Sequence, residues 1–231
     1  MKTVAFIAAK GQSQRFPGKN VAPLAGVPLI VHTVKMAYEA KALGLIDRVV
    51  VSVDAFEPVG RTLSMHGYDN CWEYQPDDIK AARPPVIQVL RRWLEDQHPA
   101  DLPGAVCVLW PTSPFREVRH LVESFRLLEP SVDAVLSMTA CRENPRTTCV
   151  RDPDGTLRLW HPGQLRETGY EYARHNGVVI WAWTAWLLRA TEFYDSHRLR
   201  PYMMPVDAAV DIDVSADLMY SEYLLSRRAT A

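Results

Sequence analysis

Short apolar runs alternate along this chain with longer stretches of helical spacing, and that alternation predicts the fold. Val4–Ala9 is apolar throughout, as in a strand buried on both faces, and it gives way to a polar, glycine-containing stretch from Lys10 to Asn20. Pro28 suits the first turn of a helix, after which Leu29, Ile30, Thr33, Val34, Ala37 and Tyr38 recur at helical spacing up to about Leu43. Arg48–Val53 predicts the second strand, ending at Asp54. A helix near Pro58–His66, a short strand at Cys71–Tyr74, a loop at Gln75–Arg83 and a helix from Pro84 to about Gln97 follow. Ala105–Trp110 reads as another buried strand closed by Pro111, then come a helix around Val118–Leu128 and a strand at Asp133–Met138.

The pattern then changes. Between Cys149 and His161 two short strands flank Asp152-Pro153-Asp154-Gly155, a hairpin signal, and residues 141–175 read as an excursion from the main sheet. Gly177–Trp183 returns to a strand, Pro201–Val206 and Val210–Val214 read as extended, and Ser215 caps a last helix running through Leu225. The whole predicts one α/β domain over residues 1–231, a three-layer α/β/α sandwich around a mostly parallel sheet with a small hairpin. Such sheets bind ligands beyond the carboxyl ends of their strands, so the residues there carry the functional reading.

Composition narrows the partners. The 231 residues are 48% hydrophobic and 23% charged, as in one folded α/β domain rather than a disordered chain. With 26 basic against 27 acidic residues the net charge is −1, which leaves no global positive field for a nucleic acid. The four cysteines, Cys71, Cys107, Cys141 and Cys149, form no CxxC pair and read as reduced thiols of a cytoplasmic protein. No run approaches the roughly 18 apolar residues of a membrane span, and Val4–Ala9 is too short for a signal peptide.

The stretch after the first strand concentrates cations and glycines: Lys10-Gly11-Gln12-Ser13-Gln14-Arg15-Phe16-Pro17-Gly18-Lys19-Asn20. Backbone N–H groups and cations together suit a polyphosphate. Six residues separate Gly11 from Gly18, and Asn20 stands where a Walker loop has Ser or Thr, so this is not a Walker loop. GxGxxG is also absent, which sets a dehydrogenase aside.

The loop, with Pro23-Leu24-Ala25-Gly26-Val27-Pro28-Leu29, Val49–Asp54, Leu109-Trp110-Pro111-Thr112-Ser113-Pro114-Phe115-Arg116, Asn176-Gly177 and Val210-Asp211-Ile212-Asp213, resembles the cytidylyltransferases that activate acidic sugars. The matches run in order across nearly the whole chain. The resemblance implies a Rossmann-like nucleotidyltransferase fold and attack by an acid's oxygen on the α-phosphate of CTP. It also implies release of pyrophosphate, Mg2+ as cofactor, and a homodimer paired through the hairpin excursion. By likeness, Ala9, Lys10, Gly11, Ser13, Lys19 and Asn20 hold the nucleotide, and Lys19, Asp211 and Asp213 are the catalytic set. Asp211 and Asp213, spaced two apart, project from one face of an extended segment and are the expected metal ligands. Trp110, Arg166 and Asn176 are the expected acceptor-binding residues.

The chain also departs from the family. Lys10 stands for an arginine, keeping the charge but losing the planar fork. Gln75-Pro76 stands for Arg-Pro, and Ala82 for an aspartate. Trp110 replaces a glutamine that faces the sugar acid, exchanging an amide for a ring with a single donor. That exchange points to an acceptor smaller or less hydroxylated than sialic acid, such as a phosphonate. The rival reading from another class is a nucleotide-binding paralogue without turnover.

Overall fold

In the computed structural model of the chain, residues 1–11, 13, 15–82, 84–141, 145, 148–159 and 171–229 are described. The strands are β1 (Thr3–Ala9), β2 (Pro23–Leu24), β3 (Val27–Pro28), β4 (Arg48–Val53), β5 (Trp72–Tyr74), β6 (Ala105–Leu109), β7 (Ala134–Ala140), β8 (Cys149–Arg151), β9 (Leu157–Leu159), β10 (Ala173–Trp183) and β11 (Leu199–Met203). The helices are α1 (Leu29–Ala42), α2 (Arg61–Met65), α3 (Asp77–Ala82), α4 (Val86–Glu95), α5 (Val118–Phe125), α6 (Thr184–Leu187) and α7 (Ser215–Ala229).

Seven strands form one sheet in the order β11-β7-β10-β6-β1-β4-β5. Pairings β1·β4, β1·β6, β4·β5 and β11·β7 are parallel, whereas β10 runs antiparallel to both β6 and β7. Each strand alternates its side chains between the two faces. Ala5, Ile7 and Ala9 of β1 therefore join Ile30 and Val34 of α1 and Leu121 of α5, while Val4 and Phe6 pack with Ile87, Leu90 and Trp93 of α4 and Trp186 of α6. That gives the three layers. Trp181 of β10 is fully buried, contributing roughly 2–3 kcal/mol by apolar burial, and its indole N–H donates to the Leu121 carbonyl at 3.1 Å.

Four local expectations change. The Gln75–Arg83 segment contains α3, whose start is favoured by Asp77 and Asp78 in its first turn. The short α6 follows β10 directly, with Thr184 and Trp186 buried. Val210–Val214 forms no ladder with the sheet, yet its alternation survives: Ile212 is fully buried against Leu24 and Leu29, and the flanking Asp211 and Asp213 are more accessible. At the start of α7 the Asp217 carboxylate accepts the N–H groups of Asp213 (2.8 Å) and Val214 (2.9 Å), a capping role the sequence reading gave to Ser215. The hairpin of β8 and β9 forms its own two-stranded sheet, its turn closed by Gly155 N–H on the Asp152 carbonyl at 2.9 Å. No helix among the described residues is long and apolar enough to cross a membrane.

Candidate active site

The parallel strands β1, β4 and β6 end side by side, which brings Lys10, Asp54 and Trp110 to one edge of the sheet. The polar loop leaving Ala9 is tied down from both ends. Gly11 donates its N–H to the Asp54 carboxylate at 2.7 Å, and Asn20, buried, donates its side-chain amide to the Lys10 carbonyl at 2.8 Å. A Cβ on Gly11 would lie 3.0 Å from both the Glu57 carbonyl and the Pro58 ring, so only glycine lets the loop press against that turn. Gly11 and Asn20 therefore shape the loop with groups the sequence reading had assigned to the nucleotide. Ala9 is buried at the end of β1, and Ser13 is half-buried within the loop.

The loop's cations meet the far end of the chain. Lys19 Nζ lies 2.8 Å from Asp213 Oδ1, and an Arg15 guanidinium nitrogen lies 2.9 Å from Oδ2. The Lys19 hydrogen bond is the largest of the effects that hold the Asp213 carboxyl below the usual carboxylate range. Asp211 behaves oppositely. It keeps solvent contact, yet enough protein crowds it that desolvation, helped by the negative charge of Asp213, raises its pKa, while a hydrogen bond from Thr112 opposes the rise. The Ile212 N–H donates to the Thr112 carbonyl at 2.9 Å, which fastens this segment to the loop after β6.

A cavity of about 1120 Å³ opens beside the two aspartates, and Trp110, Thr139, His175, Asn176, Asp211 and Asp213 line it. The Trp110 ring meets Phe193 and His175 edge-on at centroid distances of 5.9 and 6.4 Å. His175 also bonds the Tyr194 hydroxyl through Nδ1 at 2.7 Å, and desolvation pushes its pKa down to about 4, so the ring is neutral. Trp110 narrows the chemistry of this wall more than its room, since the volume exceeds that of typical small-molecule pockets, ~300–1,000 Å³. Asn176 accepts at Oδ1 from Ser137 and from the Val178 N–H, leaving Nδ2 without a partner among the described residues.

The structure thus gathers Lys19, Asp211, Asp213, Trp110 and Asn176, with Lys10, Gly11, Ser13 and Asn20 in the adjoining loop. Arg166 lies outside the described residues. Sequence reasoning did not single out Asp54, Thr112, Arg116, Ser137, Thr139 or His175 as functional. Asp54, Thr112 and Arg116 stood inside quoted motifs, which was the available signal; the other three carried none.

The two aspartates have the chemistry of a metal site. Two carboxylates that repel one another, one of them raised in pKa, suit a hard divalent cation, and Mg2+ is commonly held by one or two carboxylates with substrate phosphates completing its shell. No cluster of three or more His, Cys, Asp or Glu side chains fit to hold a metal occurs among the described residues.

A model of the cytidylyltransferase family matches residues 4–59. The chain is 27% identical to a CMP-N,N'-diacetyllegionaminic acid synthase of Legionella pneumophila over 97% of both chains. It is 24% identical to an N-acylneuraminate cytidylyltransferase of Escherichia coli over 94% of its own length, spanning 50% of that relative. Among solved structures, a CMP:2-keto-3-deoxy-manno-octonic acid synthetase complexed with CTP superposes with a TM-score of 0.70 at 16% identity, covering 99% of this chain and 100% of that one. A 4-diphosphocytidyl-2C-methyl-D-erythritol synthase from Anaerococcus prevotii gives 0.68 at 13%, covering 98% and 96%, and both likenesses speak to the fold. With the loop, the aspartates and the cavity at one sheet edge, the chain is similar to the cytidylyltransferases that include the CMP-sugar-acid synthetases.

Proposed function

We propose that the protein transfers CMP from CTP to an acidic acceptor, releasing pyrophosphate. The observation that carries this reading is the junction of Lys19 and Arg15 with Asp213, which joins a cation-rich loop to a cavity lined by Asn176 and Thr139, whose uncharged donors have no partner among the described residues. An acceptor oxygen attacks the α-phosphorus, the bond from that phosphorus to its bridging oxygen breaks, and pyrophosphate departs. The protein needs no nucleophile for this, because positioning and stabilisation of the phosphoryl oxygens supply most of the acceleration.

Lys10, Arg15 and Lys19 are the groups that offset triphosphate charge, Asn20 and Asp54 hold the loop that carries them, and Asp213 orients Lys19 and Arg15. Asp211 and Asp213 would hold Mg2+, which supplies Lewis-acid stabilisation of phosphate oxygens when bound. The acceptor lies in the cavity between Trp110 and Asn176. A 2-keto-3-deoxy sugar acid is the first choice, given the cavity's volume and the named substrates of the relatives. Trp110 in place of an amide favours a second reading, a smaller acid such as a phosphonate. The β8–β9 hairpin is the proposed dimerisation arm, and sedimentation of the chain with and without residues 149–159 tests it: loss of the dimer on deletion is expected.

Pyrophosphate release from CTP with Mg2+ over N-acetylneuraminate, 3-deoxy-manno-octulosonate and phosphonoacetate decides among these readings. Acid-dependent release is expected. CTP binding with no release for any acid would favour a paralogue without turnover.

A further inference from the structure

The cavity wall contributed by β10 is built around a break in the sheet. His175 pairs with Met138 and Ile180 with Leu136, so the segment Asn176–Val179 stands opposite the single residue Ser137. Gly177 makes the excursion possible at φ +71°, a conformation glycine adopts without strain. Three polar groups freed by the bulge find side-chain partners. The Val178 carbonyl accepts from the buried Arg116 guanidinium, the Val179 N–H donates to Ser137 Oγ at 2.8 Å, and the Val178 N–H donates to Asn176 Oδ1 at 3.1 Å.

Proton bookkeeping then fixes what the cavity sees. Ser137 receives a proton from Val179 and has one of its own, which it gives to Asn176 Oδ1. A backbone N–H can only donate, so the atom of Asn176 beside Val178 must be its oxygen, and Nδ2 must face the other way. Asn176 is 8% exposed and Thr139, two residues beyond Ser137 on the same face of β7, is 1% exposed. Asn176 and Thr139 both line the cavity, and Asn176 Nδ2 and Thr139 Oγ1, each buried, have no partner among the described residues.

We propose that Ser137 is a positioning residue that locks the Asn176 amide with its N–H groups toward the cavity, and that Asn176 and Thr139 together donate to an oxygen of the acceptor. This deepens the reading of the cavity as the acceptor site and rests on it. The recognition uses neutral donors, so it suits a carboxylate, phosphonate or hydroxyl oxygen and depends little on ionic strength.

The test is steady-state kinetics with CTP and acceptor varied separately, using N-acetylneuraminate and phosphonoacetate as acceptors. Asn176→Asp keeps both bonds to Oδ1 and replaces the donor by an anionic oxygen; kcat/KM for the acceptor is expected to fall about 100-fold, with KM for CTP within about twofold. Ser137→Ala and Thr139→Val are each expected to raise acceptor KM about 3–10-fold. Adding Ser137→Ala to Asn176→Asp should cost little more, because one residue acts through the other. Full additivity, or an unchanged acceptor KM in Ser137→Ala, overturns the positioning role while leaving the acceptor site standing. A change confined to CTP in Asn176→Asp overturns both. A crystal structure of Ser137→Ala needs no turnover: the Asn176 side chain is expected to leave Val178, and an unmoved side chain overturns the proposal.

Discussion

The two halves of the site recognise oxygen anions by different physics. The nucleotide side gathers full charges: Arg15 and Lys19 pair with Asp213, Asp211 lies beside it, and Lys10 stands half-exposed in the same loop. The acceptor side uses buried neutral groups, an amide, a hydroxyl and a neutral imidazole, against aromatic rings. Charges act at a distance and tolerate a mobile, multiply charged ligand, at the cost of screening by salt. Buried neutral donors demand a fitted partner, because an unpaired one costs about 1–3 kcal/mol. A triphosphate suits the first arrangement and a particular acid suits the second.

Removing Asp213 should break the charged half most severely. Asp213→Ala is expected to lower kcat about 1,000-fold with an unchanged far-ultraviolet circular dichroism spectrum, since it removes the carboxylate that orients Lys19 and Arg15 and would hold Mg2+, and with it the preorganised stabilisation of the phosphoryl oxygens. Retained pyrophosphate release would remove Asp213 from the mechanism. Lys19→Met should reduce kcat/KM for CTP about 100-fold, with the loss shrinking as salt is added. A salt-independent loss would mean that Lys19 acts sterically.

The neutral half gives smaller effects. Trp110→Gln is expected to shift preference about 10-fold toward N-acetylneuraminate over phosphonoacetate, measured as the ratio of kcat/KM values. No shift would show that the ring does not select the acceptor. Smallest is a pH effect on stability. His175 is held neutral down to about pH 4, while the unfolded chain protonates it near 6.5, so its contribution is complete above 6.5 and is lost as pH falls toward 4. Chemical denaturation of His175→Gln should lack about 1 kcal/mol of the loss that the wild type shows between pH 7.5 and pH 6. Parallel curves for the two proteins would mean that the imidazole is solvated.

The same contrast explains what could be read from the sequence. β1, β4, β6 and α1 are legible because apolar period alone specifies a buried strand or a helix face. α3 is not, since none of its six residues is fully buried and its clearest signal is charge at the termini. Lys19 and Asp213, far apart in the chain, are legible through motif spacing, because a charged site needs particular residue types. Ser137 and the bulge in β10 are not, because a serine in an apolar strand reads the same whether its hydroxyl faces a neighbour or replaces a ladder bond. The neutral half depends on register, and register is a tertiary property.

The division of labour is tested most directly by measuring KM for CTP and for the acceptor in Lys19→Met and Asn176→Asp side by side. The account predicts a crossed result: the first variant raises KM for CTP and leaves that for the acceptor within about twofold, and the second does the reverse. If both variants raise the same constant, the cation loop and the donor wall do not hold separate substrates, and the account is contradicted.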